Sequence, residues 1–169
     1  MADESVNDYL RFLEEKTQGG ANSGFEPLWL PDYLFDFQRH MVDWAIRKGR
    51  GEIMADCGLG KTPMGLVWAS NVARKTGKPT LYLTPVAVCI QTVEEAEKFH
   101  VEARYSRDGS SSGHVVVTNY EKLHHFNPHD FGGVVCDESS ILKSFAGQRR
   151  GEITAFMRKV QYRLLQTAT

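Results

Sequence analysis

This chain lacks most of what marks a secreted, fibrous or membrane-spanning protein. Its three cysteines, Cys57, Cys89 and Cys136, are odd in number and widely spaced. They build no disulfide frame and offer no paired thiols to zinc. Each lies in or beside an apolar run, so they read as reduced, buried thiols. No apolar run reaches the length of a membrane span, and no secretory leader pattern occurs. These absences lead to the expectation of a soluble cytoplasmic protein. There is also no internal repeat and no heptad pattern, which argues against a solenoid or a coiled coil. The net charge of −1 gives no global signature of nucleic-acid binding. His124, His125 and His129 cluster without framing cysteines, so a surface loop is favoured over metal ligation.

What is present is ordinary in bulk and uneven in detail. With 169 residues, 41% hydrophobic and 24% charged, the chain can bury one domain-sized core. Acidic residues prevail at the start, where Asp3, Glu4, Asp8, Glu14 and Glu15 face Arg11 and Lys16. After residue 141, Lys143, Arg149, Arg150, Arg158, Lys159 and Arg163 face only Glu152. That run is either a basic surface or a solvated helix face.

Residues 5–16 place Val6, Tyr9, Leu10 and Leu13 at helical spacing. The glycine-rich stretch that follows reads as a linker. Residues 1–24 are thus expected to be a helix and flexible linker, and residues 25–169 the main domain. A helix is expected over 36–48, with Phe37, Met41, Trp44 and Ala45 on its core face. Apolar, largely β-branched runs follow at Glu52–Ala55, Thr80–Thr84, Val115–Thr118, Gly133–Cys136 and Tyr162–Gln166. Helical patterns at 61–76, 86–99 and 149–159 separate most of them. Such alternation predicts an α/β fold with a parallel sheet covered on both faces.

The most informative stretch is Ile53-Met54-Ala55-Asp56-Cys57-Gly58-Leu59-Gly60-Lys61-Thr62. An apolar strand enters a glycine-rich turn that opens a helix at Gly-Lys-Thr. Backbone N–H groups at such a turn cradle phosphate oxygens. Gly58 and Gly60 shape the loop, Lys61 supplies charge to the outer phosphates and Thr62 a hydroxyl for magnesium. Ala55 departs from the plain pattern by holding its first glycine position. A second strand, Val134-Val135-Cys136, ends in Asp137-Glu138. Carboxylates at the carboxyl end of a parallel strand point into the ligand crevice. Asp137 suits magnesium, and Glu138 suits the orientation of an attacking water.

With these residues in place, the chain resembles the first RecA-like P-loop NTPase domain of a superfamily-two helicase or translocase. The likeness is to the Snf-type branch, in the short forms carried by phages and prophages. It covers residues 25–169, with the motifs in the family's order. Leu34-Phe35-Asp36-Phe37-Gln38, with Val42-Asp43-Trp44, resembles the adenine-reading motif. The resemblance implies that Gln38 reads the adenine edge with Phe35 as neighbour; the plain alternatives are a surface glutamine and, for Phe37 and Trp44, core packing. Leu83-Thr84-Pro85 and Val117-Thr118-Asn119-Tyr120 are similar to two motifs that touch the nucleic-acid backbone. For Thr84, Thr118 and Asn119 the alternative is helix capping. Asp137-Glu138-Ser139-Ser140-Ile141-Leu142-Lys143-Ser144 resembles the magnesium motif, with Lys143 implied at the nucleic acid and Ser140 in place of the usual histidine. Leu165-Gln166-Thr167-Ala168-Thr169 resembles the coupling motif, which Ser140 is expected to reach through Gln166 or Thr167.

The resemblance implies ATP and Mg²⁺ as cofactors. It implies Lys61, Asp137 and Glu138 as catalytic residues, and backbone contacts to duplex DNA without sequence readout. A second RecA-like domain, which carries the arginine finger in the family, is absent from this sequence. The chain is therefore expected to be the ATP-binding half of a DNA-dependent ATPase and, alone, a very weak ATP hydrolase. It would act in the cytoplasm of a bacterial or phage-infected cell, with no membrane partner. The alternatives are a non-enzymatic nucleotide- or DNA-binding module, an unwinding helicase, or a restriction motor subunit.

Overall fold

A computed structural model of the protein describes residues 22–140 and 147–168. The expected helix at 5–16, Lys143 and Thr169 lie outside the described residues. In chain order the elements are α1 (Asp36–Lys48), β1 (Arg50–Met54), α2 (Lys61–Thr76), β2 (Thr80–Thr84), α3 (Cys89–Lys98), β3 (Ala103–Tyr105), β4 (Val115–Asn119), β5 (Gly133–Cys136), α4 (Gly147–Lys159) and β6 (Tyr162–Thr167). Short 3₁₀ turns occupy Val86–Val88, Tyr120–His125 and Pro128–Asp130.

The six strands form one sheet in the order β1-β6-β5-β2-β4-β3. Every pairing is parallel. β2, β4 and β5 are buried along their whole length, as continuous apolar strands in a covered sheet must be. Alternate side chains then feed two cores. One holds Tyr82, Val117, Val135 and Leu164 against α1, α2 and α3. The other holds Leu81, Leu83, Val116, Val134 and Cys136 against α4 and the 3₁₀ turns.

The crossover helix α2 begins at Gly60 in the left-handed region and ends at Gly77, also left-handed. Both are positions that a glycine fills without strain. Its middle, from Met64 to Ala73, is buried without interruption. The expected α/β class and parallel sheet are what the chain adopts.

Four details differ from the sequence reading. β3 adds a short edge strand that alternation did not reveal. The helix expected over 86–99 begins with a 3₁₀ turn, because Pro85 sets an extended entry and Val88 donates back to its carbonyl at 3.0 Å. The core face of α1 is Gln38, Val42, Ala45 and Ile46, so that Ala45 is buried as expected, and Met41 packs half-buried against the core. Phe37 and Trp44 are 44% and 45% exposed instead of core. Finally, Cys57 is exposed because it sits on the turn rather than in the strand; Cys89 and Cys136 are buried as expected. The histidines at 124, 125 and 129 are exposed on the 3₁₀ turns. No described helix is long and apolar enough to cross a membrane.

Candidate nucleotide site

The parallel sheet brings the carboxyl ends of β1, β5 and β2 to one crevice, and the expected residues meet there. Lys61, Thr62, Pro85, Asp137 and Glu138 line a single cleft of about 190 Å³. Residues drawn from positions 61 to 138 thus share one site because β5 and β2 are adjacent and α2 starts beside them.

The loop before α2 turns through Gly58 at φ +85° and Gly60 at φ +76°. A side chain on Gly60 would collide with the Gln38 amide nitrogen. Beside Gly58 there is open space. The N-terminus of α2 carries no side-chain cap, so its first N–H groups and the positive end of its dipole are uncompensated by the protein. The Lys61 ammonium rests on two backbone carbonyls, Ala55 at 2.9 Å and Asp56 at 3.4 Å. These are neutral acceptors, and a phosphate is a stronger partner for that charge.

Asp137 is held from several sides. Its carboxylate accepts from Thr84 Oγ1 at 3.3 Å and from the Glu138 N–H at 3.1 Å. Its N–H donates to the Leu83 carbonyl at 2.8 Å, and its carbonyl accepts from the Tyr120 hydroxyl at 2.6 Å. Burial holds the Asp137 carboxyl above its ordinary value; the Thr84 and Glu138 hydrogen bonds and Lys61 pull the other way, and Glu138 adds repulsion. The next residue, Glu138, has φ +52°. A non-glycine residue in the left-handed region persists where its surroundings impose it, often at a functional site. Here the bonds on Asp137 impose it, and they aim Glu138 into the cleft.

Gln38 is nearly buried. Its Oε1 accepts from the Phe35 N–H at 3.0 Å and its Nε2 donates to the Leu59 carbonyl at 2.9 Å. It therefore ties the start of α1 to the phosphate loop, which corrects the alternative of a surface glutamine. One Nε2 hydrogen and one Oε1 lone pair remain for another partner. Phe35 is 68% exposed, with its ring 6.2 Å from Phe37 in parallel stacking. Core packing is thereby excluded for both rings.

Gln166 is fully buried between β6 and α2. Its Nε2 donates to the Lys61 carbonyl at 2.8 Å and its Oε1 accepts from the Tyr82 hydroxyl at 3.1 Å. Thr167 Oγ1 donates to the Ala168 carbonyl at 3.0 Å. Ser140 is exposed whereas Gln166 is fully buried, and among the described residues Ser140 bonds neither of them, so the expected bridge from Ser140 is not formed.

The side chains expected at nucleic acid require correction as well. Thr84 and Thr118 are wholly buried, and Asn119 is nearly so. Thr84 serves Asp137, while Asn119 caps the following 3₁₀ turn through the N–H groups of Glu121 and Lys122. The Thr118 hydroxyl is buried with no partner among the described residues. Pro85 is half-buried and is followed by exposed Val86 and Ala87.

Residues that sequence reasoning missed also line the cleft. Gln91, Thr92 and Glu95 come from α3, with Gln91 donating to Glu95 at 3.0 Å. Their spacing of one helical turn was the available signal. Tyr82 and Tyr120 were missed because each stands in or after an apolar strand and reads as core.

The donor set fits a magnesium nucleotide. Among the described residues no group of three or more His, Cys, Asp or Glu could enclose a metal by itself. Mg²⁺ normally takes one or two carboxylates and shares the rest of its sphere with phosphates and water. Thr62 and Asp137 offer that partial shell beside Lys61.

Comparison with known proteins gives the fold a context. The chain superposes on the UvsW helicase of bacteriophage T4 with a TM-score of 0.68, at 13% identity, over 86% of this chain and 57% of that one. It superposes on the Sulfolobus solfataricus SWI2/SNF2 ATPase core, solved in complex with dsDNA, with a TM-score of 0.69. That match has 21% identity over 86% of this chain and 34% of the other. The chain shares its α/β fold with part of each of these two proteins. No protein-family model matches the chain. It is 26% identical to protein p41 of Acyrthosiphon pisum secondary endosymbiont phage 1, over 75% of this chain and 32% of p41. The chain thus spans about a third of the length of that phage relative.

Proposed function

We propose that this chain is the ATP-binding, first RecA-like domain of a Snf-type, DNA-dependent ATPase that translocates on or remodels duplex DNA. The observation that carries this reading is the meeting of Lys61, Thr62, Asp137 and Glu138 around one cleft at the strand carboxyl ends. Phosphate binding, metal binding and water activation each have a residue of the right chemistry there.

In this reading the loop N–H groups and Lys61 bind the phosphates. Thr62 and Asp137 would hold Mg²⁺, which supplies charge neutralisation on the transferring phosphoryl group. Glu138 orients the attacking water and accepts its proton. The free Gln38 hydrogen and lone pair, with the exposed Phe35 ring beside them, provide the adenine contacts. Gln166 joins the phosphate helix to β6 and carries the coupling role. The buried positions of Thr84, Thr118 and Asn119 leave DNA contact on the crevice side to the exposed segment around Pro85. Contacts of this kind read phosphate and sugar, not base sequence.

The test is steady-state ATP hydrolysis with and without duplex DNA, by this chain alone and together with a second RecA-like domain. An arginine finger supplied in trans is worth about 10³–10⁵ in rate. The expected result is slow hydrolysis by the chain alone and DNA-stimulated hydrolysis with the second domain. Glu138→Gln should abolish that activity while ATP binding persists. Retained ATP or DNA binding with no hydrolysis in any combination would replace this reading with a non-enzymatic binding module. Strand-displacement and triplex-displacement assays then separate an unwinding helicase from a duplex translocase.

A further inference from the structure

Part of the basic surplus in the last part of the sequence, Arg158, Lys159 and Arg163, lies at the end of the sheet away from the nucleotide cleft. The strand amino ends, the last turn of α2 and the last turn of α4 meet there. Lys75, Lys78, His129, Lys159 and Gln161 line a hollow of about 360 Å³, and no carboxylate lines it. The Lys78 ammonium donates to the His129 carbonyl at 3.0 Å, which leaves two of its hydrogens free.

Two arginines extend this surface along the sheet edge. Arg50 Nε donates to the Gln161 carbonyl at 3.2 Å. Arg163 Nε donates to the Val160 carbonyl at 3.0 Å, and its Nη2 to the Arg158 carbonyl at 3.3 Å. The guanidiniums are thus fixed to the turn between α4 and β6 by backbone groups, without a counter-ion. Burial pulls Arg163 below its ordinary value, and its positive neighbours Arg50 and Arg158 pull it further. Among the described residues Arg50, Arg158, Lys159 and Arg163 form no ion pair.

Helix dipoles account for some of these charges. Lys75, Arg158 and Lys159 stand in the last turns of α2 and α4, where cations are favoured. That explanation does not reach Lys78, Arg50 or Arg163, which lie outside helices. Six cations from five segments of the chain therefore converge where mutual repulsion opposes them, in a chain of net charge −1.

We propose that this edge is a second nucleic-acid surface, on which Lys75, Lys78, Lys159, Arg158, Arg50 and Arg163 bind the phosphate backbone of duplex DNA. The span supports a polymer over a single small anion. The cations run from β1 across β6 and β5 to β2, three strand spacings of about 4.8 Å, or roughly 15 Å. One DNA strand places a phosphate about every 3.4 Å along the axis, so the track faces about four phosphates. Contacts to phosphate carry no sequence information, so binding here is sequence-independent and falls steeply with salt. It stands independently of ATP hydrolysis, because it lies at the opposite end of the strands from Lys61 and Asp137.

The test is fluorescence anisotropy of a short labelled duplex, titrated with the chain across a salt series and without nucleotide. The variant Lys78→Gln, Arg158→Gln, Lys159→Gln removes three exposed cations and leaves the cores untouched. Circular dichroism and binding of a fluorescent ATP analogue confirm that it folds. The expected result is a dissociation constant at least about tenfold higher, and a log–log salt slope shallower by about 2–3, near one for each cation removed. An unchanged affinity and slope in the folded variant would overturn the proposal. So would displacement of the duplex by millimolar inorganic phosphate, which would mark the hollow as a small-anion site.

Discussion

The Gln166 side-chain amide donates to the Lys61 backbone carbonyl at 2.8 Å, across 105 residues of sequence. The last strand of the sheet is thereby latched to the first turn of the phosphate-binding helix. The same side chain accepts from Tyr82 on β2, so three elements depend on it. Gly65 faces this latch so closely that any side chain there would collide with Gln166 Oε1. Gln166→Ala should destabilise the protein by about 3 kcal/mol, through a cavity and two stranded polar groups. Gly65→Ala should cost about 1–3 kcal/mol by overpacking. Urea denaturation of both variants checks this, and the effects should not add, because the two residues share one contact.

Gln38→Ala removes the bond to Leu59 that ties α1 to the phosphate loop and the bond to Phe35 that caps α1. The expected loss is about 1–2 kcal/mol of stability. ATP should bind more weakly, and preference for ATP over GTP should fall. Nucleotide titrations measured by calorimetry give both numbers. Unaltered ATP affinity would remove Gln38 from the adenine site.

Asp137→Asn should raise Tm at neutral pH while eliminating hydrolysis. Burial holds the Asp137 carboxyl above its ordinary value. A carboxyl raised in the folded state stabilises the fold only when protonated. That contribution is full below the unfolded value and gone once the pH passes the folded value. Ionised Asp137 is therefore a cost at neutral pH in the metal-free protein. Asparagine keeps an acceptor and carries no charge. The gain in Tm should shrink as the pH falls toward the ordinary carboxylate range, which thermal melts in a pH series detect.

Tyr120→Phe removes the 2.6 Å bond to the Asp137 carbonyl and nothing from the cleft wall. The left-handed Glu138 then loses part of what fixes it. The expected outcome is a fall of about tenfold in kcat with little change in KM, since small misplacements of a catalytic group are costly. A change in KM alone would instead assign Tyr120 to substrate binding.

Phe37→Ser should shift stability by no more than about 0.5 kcal/mol, because the ring is half exposed. Ile46→Ala on the buried face should cost about 2–5 kcal/mol. Chemical denaturation of the pair tests which face of α1 meets the sheet.

That last comparison shows why the sequence reading of α1 was rotated. Phe37, Met41 and Trp44 form the more apolar stripe, so hydrophobicity favours it. The true inner line runs one residue later, through Gln38 and Val42. A glutamine enters that line because two backbone groups, from Phe35 and Leu59, satisfy its amide. Periodicity registers apolarity, and it cannot register a polar group whose partners are brought to it by the fold. The burial of Thr84 and Asn119 has the same origin: their partners are Asp137 and a turn of backbone.

Local sequence by itself determined the alternation of strands and helices, the positions of β2 and β5, and the loop ending at Lys61. It did so because continuous β-branched runs, a glycine turn and a helix start are encoded within a few residues each. It also identified the carboxylates at 137 and 138. Tertiary structure alone decided that Gln166 grips Lys61, that Tyr120 steadies Asp137, and that Gln91 and Glu95 enter the cleft. It alone gathered Lys75, Lys78, Arg50 and Arg163 on one edge. Those relationships join residues far apart in sequence, and only the pairing order of a parallel sheet sets the distances between them.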